Sequence, residues 1–373
     1  MPTARWPIRP PPLPHELFSS WLVRLASANS IKVGTFLHVI ADRPRAFAQD
    51  IDRYVPPDLA AAVAAGTGVP VREIRDMALA RYAGAIFPQF FRHGSTSWIL
   101  PLGRYHATQR RAAVQFCPEC LRNDATPYFR RYWRLACVVG CAQHGRLLRD
   151  MCGHCSAPIA FHRTTLGDRH RFESQPLTEC TRCGGDLTTT ISEPMLPRLT
   201  EFLGALHPSL LHGADVMDTC AGRLPTVEVL AVLHHFSRLL AHGRWGAPLR
   251  NAARELGARL PVVTTGERRG FVLEYAPLAV RAALLDSALL LWTRWPTSFS
   301  VLCAEHRVWH SALLADFRRA PPWYRRRIRS ELYLPGFVPP PSGFRSDRLQ
   351  ATGTRQHPKA LQATRRHQRI KVR

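Results

Sequence analysis

The fold is decided by four short pairs of metal-ligand residues: Cys117-Pro-Glu-Cys120, Cys141-Ala-Gln-His144, Cys152-Gly-His-Cys155 and Cys180-Thr-Arg-Cys183. A Cys-x-x-Cys turn places two thiolates on one side of a metal ion, and a second turn completes the tetrahedron that Zn²⁺ prefers. Closed sets of four protein ligands leave no position for water and are structural. We therefore predict two structural Zn²⁺ ions.

Chain order gives the simplest grouping of these ligands. The predicted first site is Cys117, Cys120, Cys141 and His144, and the predicted second site is Cys152, Cys155, Cys180 and Cys183. An exchange of one ligand stays open, because Cys137 lies four residues before Cys141. Three further imidazoles lie nearby, those of His154, His162 and His170.

Other uses of cysteine fit the pattern less well. The chain has 10 cysteines, and its first residues contain no apolar signal segment, so we expect reduced thiols in a cytoplasmic protein. A thioredoxin-type redox site needs one Cys-x-x-Cys pair, whereas three such pairs and one Cys-x-x-His pair stand here in succession. Cys220 and Cys303 stand alone in apolar stretches and are predicted to be small buried side chains.

The charge of the chain points to a polyanionic partner. Lys and Arg number 51 against 27 Asp and Glu, which gives a net charge of +24. A GC-rich genome would explain why arginine replaces lysine, but it would not explain the excess over acidic residues. Arginine binds phosphate through two parallel hydrogen bonds and stacks on bases. The composition therefore favours nucleic acid, with DNA as the expected partner.

Catalytic motifs are missing from the sequence, so we expect a protein that is not an enzyme. None of the three lysines follows a glycine, which excludes a Walker-type ATPase. There is no GxSxG or HExxH motif, and the acidic residues are too scattered for a two-metal nuclease. A hydrophobic fraction of 46% is enough for real cores, and no apolar run reaches membrane-spanning length, so no membrane association is expected.

Composition and periodicity divide the chain into four parts. The predicted divisions are an N-terminal helical region, 1–100; a double zinc-finger region, 101–191; a C-terminal helical region, 192–335; and a basic, disordered tail, 336–373. The short helices and tight turns of the first region fit a helix-turn-helix-like domain and fit another small helical bundle equally well. Apolar residues recur at helical spacing near 17–28, 33–40, 58–65, 71–80, 195–206, 227–240, 280–292 and 311–317. The predicted fold class is mainly α, with small zinc-ribbon-like β knuckles.

Two segments interleave arginine with aromatic residues. The first is Tyr128-Phe-Arg-Arg-Tyr-Trp-Arg-Leu135, and the second is Pro321-Pro-Trp-Tyr-Arg-Arg-Arg-Ile-Arg329. Such stretches can follow phosphates and stack on bases, or they can pack a small metal module that has little other core. The arginines predicted to bind nucleic acid are Arg130, Arg131, Arg134, Arg325, Arg326 and Arg327.

The order of these features resembles the TniQ family of bacterial transposons. The resemblance rests on the opening Glu16-Leu-Phe-Ser-Ser-Trp-Leu-Val-Arg-Leu-Ala26, on Phe116–Cys120 followed by Tyr128–Leu135, and on the later Cys pairs ending in Cys183-Gly-Gly-Asp-Leu187. It covers roughly residues 7–190. The chain departs from the family pattern at Leu17 and at Met151-Cys-Gly153, neither of which changes a ligand position.

The resemblance implies a role in target selection without DNA cleavage. Members of this family bind DNA and help to recruit an AAA+ ATPase, the TniB-like partner, and indirectly a DDE transposase, the TniA-like partner. Some form head-to-tail dimers, so a homodimer is expected as well. An alternative from another class is a zinc-containing, sequence-specific transcriptional regulator whose N-terminal helices read a major groove.

Overall fold

Apolar residues at helical spacing build most of this protein, as the sequence predicts. The structure is a computed structural model that describes residues 5–42, 47, 49–102, 104–105, 108–109, 112–163, 176–242, 246–262 and 271–332. All described residues belong to one unit, Met1–Tyr333. The predicted basic tail, 336–373, and His170 lie outside the described residues. The predicted domain boundaries stay predictions.

Four helices form the first part of the chain: α1 (Phe18–Ala28), α2 (Val33–Ala41), α3 (Pro57–Thr67) and α4 (Val71–Asp76). Consecutive helices pack on one another. Trp21, Leu22 and Leu25 of α1 are fully buried, because their spacing places them on the face of the helix that meets the core. The turn between α3 and α4 is Gly68-Val69-Pro70, in which Gly68 adopts a left-handed φ of 83°.

The cysteine-rich part contains short elements. They are the hairpin β1 (Arg104–Tyr105) and β2 (Thr108–Gln109), helix α5 (Pro118–Asn123), and the hairpin β3 (Gly140–Cys141) and β4 (Arg146–Leu147). A 3₁₀ turn, Arg131–Arg134, lies between α5 and β3. Elements this short cannot enclose a large core of their own, so the region depends on its neighbours and on its ligand clusters.

Helices dominate the C-terminal part. They are α6 (Pro197–His212), α7 (Thr226–Ala241), α8 (Ala247–Glu255), α9 (Leu278–Trp292), α10 (Thr297–Glu305), α11 (His310–Leu313) and α12 (Pro322–Glu331), with the hairpin β5 (Val216–Thr219) and β6 (Gly222–Pro225) between α6 and α7. Both α6 and α7 pack on α9. Because most of α9 is buried, it forms the centre of this part of the molecule.

The predicted fold class is confirmed: the described residues form 12 α-helices and three two-stranded antiparallel sheets. Two clusters of cysteine and histidine lie in the part that was predicted to contain zinc-ribbon-like knuckles. Among the described residues, no helix has the length and apolar character needed to cross a membrane.

Three local expectations need correction. Helix α4 ends at Asp76 rather than near residue 80, because the N–H of Leu79 donates to the carbonyl of Asp52 at 2.7 Å. The helix predicted at 311–317 ends at Leu313, and Asp316, with a φ of 57°, cannot continue it. Cys303 is buried as expected, but Cys220 is exposed, so the prediction for Cys220 was wrong.

Residues 15–20, at the start of the family-like opening, are hydrogen-bonded to the first arginine-aromatic segment, Tyr128–Leu135. The N–H of Leu17 donates to the carbonyl of Phe129 at 2.8 Å, and the N–H of Arg131 donates to the carbonyl of His15 at 2.7 Å. The N–H of Phe129 donates to the hydroxyl oxygen of Ser20 at 3.1 Å. Two stretches more than 100 residues apart therefore form one structural unit.

A fully buried guanidinium extends this unit to the loop before α3. Arg134 donates from Nη2 to Asp50 at 2.7 Å and from Nη1 to Asp52 at 3.2 Å, and it has no exposed side-chain surface. Asp52 also accepts hydrogen bonds from the N–H of Ser19 at 2.7 Å and from its hydroxyl at 2.8 Å. The two carboxylates thereby connect α1 with the 3₁₀ turn of the cysteine-rich part.

A second buried arginine connects α9 to the cysteine-rich part. Arg281 donates to the side-chain oxygen of Gln115 at 3.1 Å and to the carbonyl of Ala136 at 3.2 Å. Gln115 in turn donates to the carbonyls of Trp133, Leu135 and Val138. Burial lowers the pKa of Arg281 to about 10, and Asp150 at 3.8 Å partly opposes this shift. One charged group from the C-terminal part thus stabilises loop backbone before the second cysteine pair.

We expect Arg134→Met to reduce the free energy of unfolding by about 3–5 kcal/mol, because it leaves two carboxylates partly or fully buried without their counter-charge. Urea denaturation followed by circular dichroism measures this loss. Arg72→Met is the control, since Arg72 is exposed on α4 and should change stability by less than about 0.5 kcal/mol. Equal effects of both substitutions would contradict the structural role of Arg134.

Candidate metal centres

The first predicted ligand set forms a tight cluster. The ligand atoms of Cys117, Cys120, Cys141 and His144 all lie within 4.8 Å of one another. His144 Nδ1 lies 3.4 Å from the sulfur of Cys117 and 3.3 Å from that of Cys120. The sulfurs of Cys120 and Cys141 are 3.6 Å apart. The structure therefore brings together the four residues grouped in chain order, and Cys141 rather than Cys137 lies in this cluster.

These distances fit a tetrahedral metal ion. With Zn–S bonds of about 2.3 Å and Zn–N bonds of about 2.0 Å, a tetrahedron separates two sulfurs by about 3.8 Å and a sulfur from a nitrogen by about 3.5 Å. A disulfide would bring two sulfurs to about 2.05 Å, whereas all ten cysteines are free. The donor set and its spacing are therefore compatible with a structural metal site.

Short elements place the four ligands of this first cluster. Cys117 is the N-cap of α5, and Cys120 lies within its first turn. Cys141 ends strand β3, and His144 lies in the turn that leads to β4. The N–H of Gly145 donates to the carbonyl of Cys141 at 2.9 Å and closes that turn. A helix end and a hairpin thus hold one half of the cluster each.

The second predicted set also comes together. The sulfurs of Cys152, Cys155, Cys180 and Cys183 lie within 4.8 Å of one another. The Cys152–Cys183 distance is 3.8 Å and the Cys155–Cys180 distance is 3.7 Å, both close to the tetrahedral value. The N–H of His154 points to the sulfur of Cys152 and the N–H of Gly185 to that of Cys183, each at 3.4 Å. Such N–H groups stabilise thiolate charge.

Three of the four pairs share one turn geometry. The residue after each of these pairs, Gly145, Ser156 or Gly184, has a positive φ of 62°, 54° or 74°. Its N–H donates to the carbonyl of the first cysteine of its pair at 2.8–3.0 Å. This turn curls the chain so that both ligand atoms face the same point. The pair Cys117–Cys120 reaches the same result with a helical turn instead.

Hydrogen bonds among the thiols favour a thiolate in the first cluster. The thiols of Cys117 and Cys120 lower the pKa of Cys141 well below its ordinary value. The same contacts raise the pKa of Cys120. In the second cluster, the N–H of Gly185 lowers the pKa of Cys183 to about 7. Thiolates are the form of cysteine that binds metal, so both clusters are suited to that role.

The two clusters differ in their access to solvent. In the first, the three cysteines are buried and the imidazole is half-buried. In the second, Cys183 is exposed and Cys155 is half-buried. The helix α5 of the first cluster packs on the 3₁₀ turn Leu187–Thr189 that follows the second. The two candidate centres therefore support each other through this contact.

The alternative ligands lie elsewhere. Cys137 is fully buried, and burial raises its pKa to about 12, the direction of an inert core thiol. The Nε2 atom of His154 lies 3.0 Å from the carbonyl of Asp186, outside the cluster. His162 stacks on Phe47 with ring centroids 4.6 Å apart. Among the described residues, these three side chains belong to neither cluster.

The arginines predicted to bind nucleic acid in the segment 128–135 are buried. Arg130 makes a two-pronged ion pair with Asp124 at 2.8 and 2.9 Å. Arg131 donates to the carbonyl of Asp76 at 2.6 Å, and Arg134 binds Asp50 and Asp52. This burial does not fit the role that the sequence pattern suggested for the three. The packing alternative describes them better, since their donors are used inside the protein.

The arginines of α12 lie at the surface in part. Arg326 is exposed, whereas Arg325 and Arg327 are half-buried. Arg325 donates to the carbonyl of Arg318 at 3.2 Å, and Arg327 pairs with Glu331. Arg326, and Arg329 one turn away, are exposed and make no hydrogen bond or ion pair through their side chains among the described residues. Of the predicted trio, the exposed and unpaired set keeps only Arg326, and Arg329 was not predicted.

Sequence reasoning did not single out Arg72 and Arg75 on α4. Both are exposed, and they stand three residues apart, which places them on one face of the helix. The sequence did contain a signal for this surface: Gly68-Val69-Pro70 marks a short turn between two predicted helices, and Arg72 and Arg75 follow directly after it. A helix–short turn–helix unit whose second helix carries exposed arginines at helical spacing is a candidate surface for DNA.

Comparison with known proteins adds a family. Residues 7–148 match the model of the family described as TniQ. The match includes α1–α5, the arginine-aromatic segment and the complete first cluster. It ends before the second cluster and the C-terminal helices. No curated protein matches the chain.

We expect the purified protein to bind about two zinc ions per chain. Cys117→Ser or Cys180→Ser should each reduce this to about one, because three ligands do not close a structural site. Inductively coupled plasma mass spectrometry of the dialysed proteins measures the ratio. Cys137→Ser is the matched control and should retain both ions. Retention of both ions in Cys117→Ser would contradict the first ligand set.

We expect Gly184→Ala to destabilise the zinc-loaded protein by about 1–2 kcal/mol, because alanine at a φ of 74° carries the cost of a left-handed backbone. Gly204→Ala is the control. Gly204 lies in α6, and an added Cβ there meets no atom within 4 Å, so alanine should stabilise by about 0.5–1 kcal/mol. Thermal unfolding should shift in opposite directions for the two variants, and equal shifts would contradict the turn geometry.

Proposed function

Because the chain belongs to the TniQ family over residues 7–148, we propose that it is a non-catalytic adaptor for target selection in DNA transposition. Membership makes it a transposition-associated protein. In the proposed role it binds DNA, recruits an AAA+ ATPase of the TniB type, and through that ATPase engages a DDE transposase of the TniA type. A homodimer is part of the same proposal.

This proposal rests on one observation: the two stretches that carry the family resemblance, the opening near Glu16 and the segment Tyr128–Leu135, are hydrogen-bonded to each other. Residues 15–20 are hydrogen-bonded to residues 129–131, and Arg134 ties both to Asp50 and Asp52. The residues that carry the family match thus serve as a scaffold. A scaffold of buried polar groups that hydrogen-bond to one another supports a positioning role rather than a reaction centre.

We assign two Zn²⁺ ions to the two clusters as structural cofactors. The ligands are Cys117, Cys120, Cys141 and His144 in one site and Cys152, Cys155, Cys180 and Cys183 in the other. Four protein ligands complete each tetrahedron, so neither ion would hold a reactive water. Each ion would instead fix the relative positions of a helix end, a hairpin or a loop.

DNA contacts are assigned to exposed arginines instead of buried ones. On α4 these are Arg72 and Arg75, and on α12 they are Arg326 and Arg329. Exposed guanidinium groups can bind phosphate without breaking an internal ion pair, whereas Arg130, Arg131 and Arg134 would each lose one or more bonds. The net charge of +24 supports attraction of DNA over a longer range.

We expect Arg72→Ala/Arg75→Ala and Arg326→Ala/Arg329→Ala to weaken duplex binding uniformly across sequences. Each variant should lower the slope of log K against log salt by about 2, because two phosphate contacts are lost. Fluorescence anisotropy between 50 and 300 mM salt, as a rough working range, measures this. Arg294→Ala/Arg307→Ala removes two exposed charges elsewhere and should leave the slope unchanged. An equal loss in that control would contradict the assignment.

The same preparation tests the adaptor role against a regulator. An adaptor should retain the AAA+ ATPase of the same transposon in a pull-down and show steep, salt-sensitive binding to random DNA. A transcriptional regulator should instead prefer one sequence over random DNA by roughly 10³ or more. Absence of both ATPase retention and DNA binding with the zinc-loaded protein would contradict the proposed function.

A further inference from the structure

A groove lies on the described surface, and none of the ligand residues of either cluster lines it. It has a volume of about 350 Å³ and runs between the segment 86–98 on one side and helix α7 with the loop 316–319 on the other. We call it the arginine-rimmed groove. Its apolar lining includes Phe87, Phe91, Val227, Ala231 and Phe317. Phe91 is a large apolar residue that is half exposed, at 49%, so part of it is open to a partner.

The first wall of the groove is held in place by a buried arginine. Arg53 donates twice to the carbonyl of Phe91, at 2.9 and 2.7 Å, and once to the hydroxyl of Thr96 at 2.6 Å. Arg319 crosses from the opposite wall and donates to the side-chain oxygen of Gln89 at 2.5 Å. These bonds preform the groove, which lowers the ordering cost of binding.

The second wall is fixed by an aromatic stack. Phe317 stacks on the ring of His235 with centroids 4.4 Å apart. His235 Nε2 bonds the carbonyl of Leu313 at 2.9 Å, and burial lowers the pKa of His235 to about 3. The imidazole is therefore neutral, and His235 supplies shape rather than charge to the groove.

The rim of the groove is positive. Arg238, Arg318 and Arg319 line it and are exposed, whereas Asp316 is the one acidic side chain among its described lining residues. Within the part of the chain that the structure describes, the guanidinium groups of Arg238 and Arg318 make no hydrogen bond or ion pair. An apolar floor below an unpaired positive rim favours a ligand that is both anionic and apolar.

Charge complementarity excludes two occupants. The end of this chain from Arg345 onward has nine basic residues and one acidic residue, a net charge of +8 (9 − 1), and a second copy carries +24. Both would be repelled by the rim. Duplex DNA has the right sign, but its hydrated phosphates gain nothing from an apolar floor. An acidic peptide with one apolar side chain satisfies both parts of the groove.

We propose that the arginine-rimmed groove binds an acidic segment of a protein partner, which inserts one aliphatic or aromatic side chain between Phe91 and Phe317. This deepens the proposed function, on which it rests, by giving the adaptor a protein-docking surface distinct from Arg72, Arg75, Arg326 and Arg329. The AAA+ ATPase is the partner that the proposed function requires to be docked.

The test uses a defined probe and the full zinc-loaded chain. The probe is a fluorescein-labelled peptide of 12 residues, roughly the length of a groove-binding segment, with acidic residues on both sides of a Leu-Trp anchor. Matched peptides replace the anchor with Ser-Ser or all acids with Gln. Fluorescence anisotropy should show binding that weakens roughly tenfold on either replacement.

Two groove variants separate charge from shape. Arg238→Glu/Arg318→Glu should weaken the probe by at least roughly tenfold through like-charge repulsion. Ala231→Phe keeps every arginine but fills the floor, so it should weaken the anchored probe and leave the Ser-Ser peptide unchanged. Arg326→Ala/Arg329→Ala is the matched control and should bind the probe like the wild type. Circular dichroism verifies that each variant is folded.

Several outcomes would overturn the groove proposal. Equal binding of the anchored and Ser-Ser peptides, or an equal loss in the α12 control, would identify nonspecific polyanion binding instead. Loss of duplex DNA binding in Ala231→Phe would assign the groove to DNA. A pull-down with the AAA+ ATPase separates the two proposals. If the groove variants retain the ATPase, the groove proposal fails and the adaptor role stands, whereas retention by neither variant nor wild type contradicts the adaptor role itself.

Discussion

A buried guanidinium must meet its counter-charges, and in this protein that requirement organises the first half of the chain. Arg134 has no exposed surface and lies against Asp50 and Asp52, while Asp52 also accepts two hydrogen bonds from Ser19. Since none of these groups can be buried alone without a large desolvation cost, α1, the loop before α3 and the 3₁₀ turn of the cysteine-rich part must be placed together. This assembly also helps to position the first ligand cluster. The 3₁₀ turn lies between α5, which holds Cys117 and Cys120, and β3, which ends at Cys141.

Within the cysteine-rich part, local hydrogen bonds position each pair of ligand residues, whereas contacts between distant elements bring two pairs together. Each Cys-x-x-Cys or Cys-x-x-His turn sets its own pair of ligand atoms through a backbone hydrogen bond and, in three cases, a left-handed residue. Joining two pairs into a tetrahedron depends on packing between elements. The first cluster gains this from the buried neighbours of α5, whereas the second is nearer the surface and would depend more on a bound ion.

The parts of the fold that sequence predicts are those with local causes. Helical periodicity identified α1, α2, α3, α7 and α9, and ligand spacing identified both clusters, because these signals act within a few turns of chain. Cys137 and Cys141 could not be separated by spacing alone, since both precede His144 closely. The sequence suggested nucleic-acid binding by Arg130, Arg131 and Arg134, because a stretch that interleaves arginine with aromatic residues has the same sequence pattern on a surface as in a core. The carboxylates that pair with Arg134, those of Asp50 and Asp52, lie more than 80 positions away in the chain. No sequence pattern around them predicts this contact.

The network around Arg281 has a consequence for how this protein can be divided. Arg281 binds Gln115 and the carbonyl of Ala136, and Glu274 accepts the N–H of Trp98 at 2.7 Å. The family match ends at residue 148, yet these bonds cross that limit from the far side. A shortened protein that stops there would expose the surface under α9. The side-chain oxygen of Gln115, the carbonyl of Ala136 and the N–H of Trp98 would each lose the partner named above. The limit of sequence similarity is thus not a line along which the molecule can be cut, and a minimal functional fragment would need to retain α9.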